Sequence, residues 1–357
     1  MSDNRTVWSI WFCTIVLAVF GLVILGSIST ELLRQQLIFL GLGLTGFVIL
    51  SRVDYRFFTA FPWLLYFLSN LLLVLTFLIG TTTRGSTRWI DVGAFRFQPS
   101  ELVKLLMIIF LATLLDKKIK SLREFFKIAG IVLVPSLLIF SQPDLGSSII
   151  LIGVSVLLMI IGDVNWKFLV SSFIAFALSI PLLWNLIKDY QRERLLTFFG
   201  SGGDPLGTGY NAIQAMIAVG SGMFFGRGLG RGTQSQLRFL PERHSDFIFA
   251  SIGEEFGFLG TSLVVAVYAW LLYSIITVAQ HTDDTVGKLI CVGVFGLLLV
   301  QMFVNIGMNI GLLPITGITL PLISAGGSSL ITTLLGLGMV LNIASRSKKT
   351  TAVFEIR

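Results

Sequence analysis

Four short polar stretches interrupt an otherwise apolar chain, and their residues are of the types that move protons and bind anions. Leu240-Pro-Glu-Arg-His-Ser-Asp-Phe-Ile-Phe249 sets Glu242, Arg243, His244 and Asp246 directly ahead of an apolar run, and His244 is one of only 2 histidines. A helix N-cap would explain Asp246 cheaply, but capping does not call for three ionisable neighbours. A lone carboxylate at a membrane mouth suits general-base work. Gln98-Pro-Ser-Glu-Leu-Val-Lys104 puts Glu101 and Lys104 on one face of a helix whose first turn Pro99 can open. Either that pair neutralises itself so the helix can insert, or Lys104 serves an anionic group in a polar cavity. Gln142-Pro-Asp-Leu-Gly146 offers Asp144 as a helix cap, a substrate contact, or both. Ser324-Ala-Gly-Gly-Ser-Ser329 puts Ser324 and Ser328 at a helix start, where small residues allow close approach and terminal amides favour anions. Close packing explains that stretch equally well.

The elements that must position these groups follow from composition. Of 357 residues, 54% are hydrophobic and 13% charged, against roughly 25% charged in a soluble domain. The apolar residues form long blocks, and a block of about 20 spans the hydrocarbon core as a helix. Backbone groups find no water there, so the blocks must be helical; the alternation of an outer-membrane barrel is absent. The spacing predicts an all-α, polytopic protein with ten spans at 7–27, 33–51, 57–80, 99–115, 125–141, 145–162, 166–187, 247–279, 286–311 and 327–345. They form one membrane domain over 1–357. The first block shows no short h-region with a cleavage site and reads as a retained span. Cys13 and Cys291 lie inside apolar blocks far from other ligands, which argues against a disulfide or a zinc site and for two small buried hydrophobes.

Charge sets the orientation. With both termini cytoplasmic, the inside segments hold Arg5, Arg52, Arg56, Lys117, Lys118, Lys120, Arg123, Lys127, Lys167, Lys288, Arg346, Lys348, Lys349 and Arg357. The short outside loops hold Arg34, Arg84, Arg88 and Arg96. That bias is the positive-inside pattern, so the net charge of +7 is a topology signal and needs no nucleic acid. Trp8, Trp11, Trp166 and Trp184 sit at span ends, as interfacial aromatics do. The basic run 116–127 suits the anionic inner leaflet.

Two outside connections are long. Residues 81–98 are polar and Gly-containing. The extracytoplasmic loop 188–246 is far longer, as functional loops are. Its apolar middle, 211–219, is too short to span and suits a re-entrant or surface-lying helix. The Gly-rich 226–232 does not match a dinucleotide fingerprint and follows no strand; it reads as flexible backbone sooner than as a phosphate cradle. No repeat or pair of broken segments marks an inverted-repeat transporter.

With these motifs in place, the chain resembles the SEDS family (shape, elongation, division and sporulation), which contains RodA, FtsW and SpoVE. The resemblance rests on Pro99–Lys104, Gln142–Gly146, Tyr190–Arg194, Asp204–Tyr210, Gly232–Leu237, Leu240–Phe249 and Ser324–Ser329, in family order over essentially the whole chain. The Gly232–Leu237 stretch and the short tails look more like RodA than FtsW. Ala325 stands where an aromatic is common in the family, and Ser245 where Thr is frequent; neither removes a functional group.

The resemblance implies a peptidoglycan glycosyltransferase of the bacterial cytoplasmic membrane. Such an enzyme polymerises lipid II at the outer face, alongside a class B penicillin-binding protein and other elongation-complex proteins. The family's essential aspartate matches Asp246. The donor sugar is α-linked to a polyprenyl diphosphate and the product is β-linked, so one inverting displacement needs a base and a stabilised leaving group. Asp246 would take the acceptor proton. Arg88, Lys104, Arg192 and Arg194 are the candidate cations for the diphosphate, with a divalent ion, Mg or Mn, and no organic cofactor expected. Glu242, His244 and Asp144 would position sugars or hold that ion. Glu101, Gln234, Ser324 and Ser328 complete the expected substrate-binding set. Two rivals remain: a flippase for the lipid-linked precursor, and a non-catalytic scaffold for the penicillin-binding partner.

Overall fold

A computed structural model describes residues 4–83, 86–93, 95–117, 119, 121–183, 192, 209–237 and 239–354. Each expected span is helical where it is described: residues 184–187 of the span expected at 166–187 lie outside the described residues, and the long helix of the span expected at 57–80 starts at Pro62, after a separate short one. The long helices are α1 (Asn4–Ile28), α2 (Thr30–Arg52), α4 (Pro62–Ile79), α5 (Pro99–Leu114), α6 (Leu122–Ser141), α7 (Leu145–Ile161), α8 (Trp166–Leu183), α11 (Ile248–Gln280), α12 (Thr285–Asn309) and α13 (Gly327–Phe354). Between them lie short α3 (Tyr55–Thr59), α9 (Tyr210–Ser221) and α10 (Thr233–Gln236). Among the described residues, 7 helices are long and apolar enough to cross a membrane. The other three, α5, α7 and α8, have 16, 17 and 18 residues. At 1.5 Å per residue even 16 residues reach about 24 Å, which flanking residues extend across the core.

Local chemistry sets the ends. Ser121 and Glu124 form a reciprocal capping box that starts α6 at Leu122, ahead of the expected 125. Pro135 inside α6 cannot donate to Ile131 O, and Tyr66 Oη donates to that carbonyl instead, at 3.2 Å. The interior is packed with side chains such as Phe47, Leu73, Phe110 and Leu334, none more than 1% exposed. Large apolar side chains such as Trp8, Phe67, Leu78 and Phe303 point outward, where lipid is the solvent. Cys13 and Cys291 are buried and unbridged, as read from sequence.

The structure adds two features. Residues 81–98, expected as a plain loop of an all-α protein, hold a small antiparallel sheet: β1 (Thr81–Thr83), β2 (Ser86–Val92) and β3 (Phe95–Phe97), in that order. Their β-branched and aromatic residues suit strands, and the pairing of Asp91 with Arg96 is reinforced by an ion pair at 3.4 Å. The second feature is a break in α11. Gly257 takes φ +65° and ψ −159°, which L side chains rarely adopt. The break strands backbone groups inside the membrane, where each costs several kcal/mol unless paired. The turn after α9 pairs them: Arg227 N donates to Glu254 O at 2.9 Å and Gly228 N to Glu255 O at 3.0 Å. In return, Phe258 N donates to Met223 O at 2.9 Å and Leu259 N to Phe224 O at 3.1 Å. Two amides of the Gly-rich stretch, those of Arg227 and Gly228, thus serve the broken helix.

Polar groups gather at the two ends of the bundle. At the end expected inside, Tyr55 Oη donates to Asp284 at 2.6 Å, Asn342 joins Ser51 O at 3.0 Å, and Arg346 pairs with Asp54 at 2.9 Å. Burial, and the Asp284 carboxylate that accepts its proton, push the Tyr55 phenol up. The four chemical stretches meet at the opposite end. That grouping is what ten alternating spans require.

Candidate functional site

Asp246 ends a turn that begins at Glu242, whose carbonyl accepts Ser245 N at 3.2 Å and Phe247 N at 3.1 Å. The helix behind it, α11, is capped by Phe247 with no side-chain bond. Asp246 therefore does not cap α11, and the N-cap explanation for its position fails. The half-buried carboxylate faces the loop ahead of α13: a Cβ built on Gly317, which has φ +74°, would lie 3.5 Å from Asp246 Oδ2. That loop is stapled to the Asp246 turn, since Ser324 Oγ donates to Ser245 O at 2.6 Å and Ala325 N to His244 O at 2.9 Å. Ser245 Oγ donates to Glu242 Oε2 at 3.1 Å, and His244 Nε2 lies 3.9 Å from the same oxygen.

Two buried amides hold the turn from below. Asn305 Nδ2 donates to Asp246 O at 2.9 Å and to Ile318 O at 2.7 Å. Asn309 Nδ2 donates to Asp246 O at 3.0 Å, while its Oδ1 accepts Ala250 N at 3.0 Å. The sequence reading passed over both. A signal was present: Gln301, Asn305 and Asn309 recur every fourth residue in an apolar span, so they share one helix face, and polar groups at that depth call for a reason.

The other stretches join through a chain of hydrogen bonds. Ser328 Oγ accepts Gln98 N at 2.8 Å, and Gln98 Nε2 donates to Asp144 Oδ2 at 3.1 Å. Asp144 caps α7 by accepting Ser147 N at 3.2 Å. Gly146 then lies against the Asp246-facing loop, where a Cβ would meet Thr316 O at 3.0 Å. Arg88 reaches from β2 to the same turn, donating to Gln142 O at 3.4 Å and to Pro143 O, with Asp144 at 3.7 Å. Lys104 and Glu101 form a buried pair at 2.7 Å, so the cation is already matched. Ser324 and Ser328 spend their hydroxyls on contacts between elements. Gln234 belongs to α10, and its backbone N–H donates to Glu254 Oε1 at 2.8 Å. Arg192 is half-buried, and Arg194 lies outside the described residues.

The donor set bears on the divalent ion. Among the described residues, no three His, Cys, Asp or Glu side chains gather as a dedicated metal site needs. Mg²⁺ often takes only one or two carboxylates plus substrate phosphates, and Glu242 and Asp246 are the carboxylates of the turn that could serve it.

Ten long helices among the described residues, with the polar stretches gathered at one end, define a multi-pass membrane protein. A family model described as "Cell cycle protein" (FtsW, RodA, SpoVE) matches residues 7–349. The chain is 34% identical over 364 residues to peptidoglycan glycosyltransferase MrdB of Escherichia coli (strain K12), covering 98% of each. It is 37% identical over 328 residues to stage V sporulation protein E of Bacillus subtilis (strain 168), covering 88% of this chain and 87% of that one. Of solved structures, a chain from a peptidoglycan synthase complex that coordinates polymerization and crosslinking matches with TM-score 0.83 and 32% identity, over 95% of this chain and 98% of that one. The rod shape determining protein RodA of Thermus thermophilus matches with TM-score 0.73 and 29% identity, over 95% and 97%. The chain belongs to the FtsW/RodA/SpoVE family, the SEDS proteins, and stands close to RodA within it.

Proposed function

We infer that this chain is a peptidoglycan glycosyltransferase of the cytoplasmic membrane. It extends glycan strands from lipid II at the outer face, together with a class B penicillin-binding protein that cross-links them. Relatives named peptidoglycan glycosyltransferase, matched over nearly their full length, support the activity. The structural neighbour from a synthase complex supports the partnership. The observation that carries the chemistry is the position of Asp246, whose carboxylate faces Gly317 in the loop ahead of α13.

In this reading Asp246 takes the proton of the acceptor 4-hydroxyl as that oxygen attacks C1 of the donor sugar. The C1–oxygen bond to the diphosphate breaks on the opposite face, the anomeric centre inverts, and polyprenyl diphosphate leaves with the electron pair. Positioning a base within hydrogen-bond reach contributes on the order of 10²–10⁴-fold. Cations offset the leaving charge best where water is scarce. Lys104 serves in that role by exchanging Glu101 for the diphosphate. Arg88 presents the outer edge of a guanidinium already held by Gln142 and Pro143, and Arg192 and Arg194 belong to the long outer loop. Asp144, Glu242 and His244 orient the sugars. Gln234, Ser324 and Ser328 shape the walls.

A flippase is the rival reading for ten spans with a polar outer end. Detergent separates the two, because it leaves no two sides to transport between. The purified protein with its partner, given lipid II in micelles, should form glycan polymer; a preparation that only binds the precursor would contradict the enzyme reading.

A further inference from the structure

Asn305 and Asn309 lie one turn apart near the outer end of α12, and both are 0% exposed. Their bonds fall on both sides of the contact between Asp246 and the facing loop. Two amide groups converge on one carbonyl, that of Asp246. Asn305 also holds Ile318 O, next to the Gly317 that faces the carboxylate. Asn309 Oδ1 takes Ala250 N, the third amide of α11, which a local N-cap side chain would ordinarily take. A cap supplied by another helix removes the duty that would turn Asp246 back onto its own helix.

We propose that Asn305 and Asn309 are positioning residues for glycosyl transfer. Together they fix the Asp246 backbone and the facing loop, and Asn309 caps α11 in Asp246's place. This rests on Asp246 as the base. Neither amide reaches the substrate; both act through Asp246. Their loss should therefore weaken turnover and leave donor binding alone, because a misplacement of about 1 Å can cost on the order of 10²-fold.

The test uses the purified protein with its partner and lipid II, comparing Asn309→Asp, Asn305→Ser and Gln301→Leu. Asn309→Asp keeps the oxygen that caps α11 and loses the donor to Asp246. Asn305→Ser shortens the link to both carbonyls. Gln301 is a buried amide on the same face whose Oε1 has no partner among the described residues, so Gln301→Leu controls for repacking of α12. Rates are taken per folded molecule, with Glu242, Arg243 and His244, the other ionisable groups of the turn, unchanged. The expected result is a kcat loss of about 10- to 100-fold in both Asn variants, with KM within about two-fold. The acid limb of the pH profile should also shift, since the base has moved, while Gln301→Leu stays parental. Parental kcat in Asn309→Asp overturns the proposal, as does a lowered kcat with the acid limb unmoved, which is the mark of a merely structural role. If Asn305→Ser fails to fold, Asn309→Asp decides alone. Asp246→Asn is measured in parallel: full activity there contradicts the base assignment itself, whereas an inactive Asp246→Asn beside active Asn variants contradicts only the clamp.

Discussion

The carboxylate of Glu254, on a membrane-spanning helix, accepts the backbone amide of Ser235 at 2.9 Å. Its other oxygen takes Gln234 N at 2.8 Å and Thr233 Oγ1 at 3.3 Å. Glu254 is 0% exposed, so this carboxylate caps short α10 from a different helix. It fixes the 232–237 stretch against the break at Gly257.

Glu254→Gln should therefore loosen the outer segment without reaching the substrate. An amide turns one donor toward a donor, and hydrogen bonds to a charged group are worth about 1.5–3 kcal/mol. Thermal unfolding in detergent should show a loss of that size, with a larger one for Glu254→Ala. Unchanged stability in both would contradict the capping role.

Arg88 ties the sheet to the turn that carries Asp144. Two carbonyls and a carboxylate on one guanidinium use its planar fork, which lysine lacks. Arg88→Lys should thus destabilise nearly as much as Arg88→Ala, by about 1–2 kcal/mol given partial solvent access. A fully stable Arg88→Lys would show that only the charge matters.

Glu101 and Lys104 are each left as a lone buried charge when the other is removed. Breaking such a pair costs about 3–5 kcal/mol, whereas replacing both groups by neutral side chains is often near neutral. Glu101→Gln and Lys104→Met should each unfold easily, and the double variant should recover most of the loss. If Lys104 serves the diphosphate, the stable double variant remains inactive; a stable and active one removes that role and leaves the pair as an insertion device.

At the inner end, Tyr55→Phe deletes the bond to Asp284, a cost of about 1.5–3 kcal/mol for a charged acceptor. The folded phenol's pKa is raised, so its contribution is complete below the unfolded value of about 10. It fades only as the pH climbs through the folded value. The stability gap between the two proteins should hold constant from about pH 6 to 9, which pH-resolved unfolding would check.

How much of this was legible in sequence differs by element. The helices were, because twenty apolar residues in a row admit one answer in lipid, and the Lys and Arg bias set which ends meet. The sheet was not: strands of three residues such as Phe95–Phe97 give no periodicity to read. The break in α11 was hidden because glycine is common in spanning helices, although Glu254 and Glu255 just ahead of Gly257 are ionisable groups at membrane depth, which call for a reason. The Glu101–Lys104 pair followed from i, i+3 spacing. The Asp246 turn was found by its ionisable residues, but its support was not, because Asn305 and Asn309 carry no charge and lie about sixty residues away. Hydrogen bonds across that separation exist only once the helices pack.

The central claim is that Asp246 is the base for glycan polymerisation. The direct measurement is the lipid II polymerisation rate of purified Asp246→Ala with its penicillin-binding partner, beside the parental pair at equal folded concentration. The account predicts a loss of at least about 10²-fold, with intact folding and partner binding. Polymer formed at near the parental rate would contradict it.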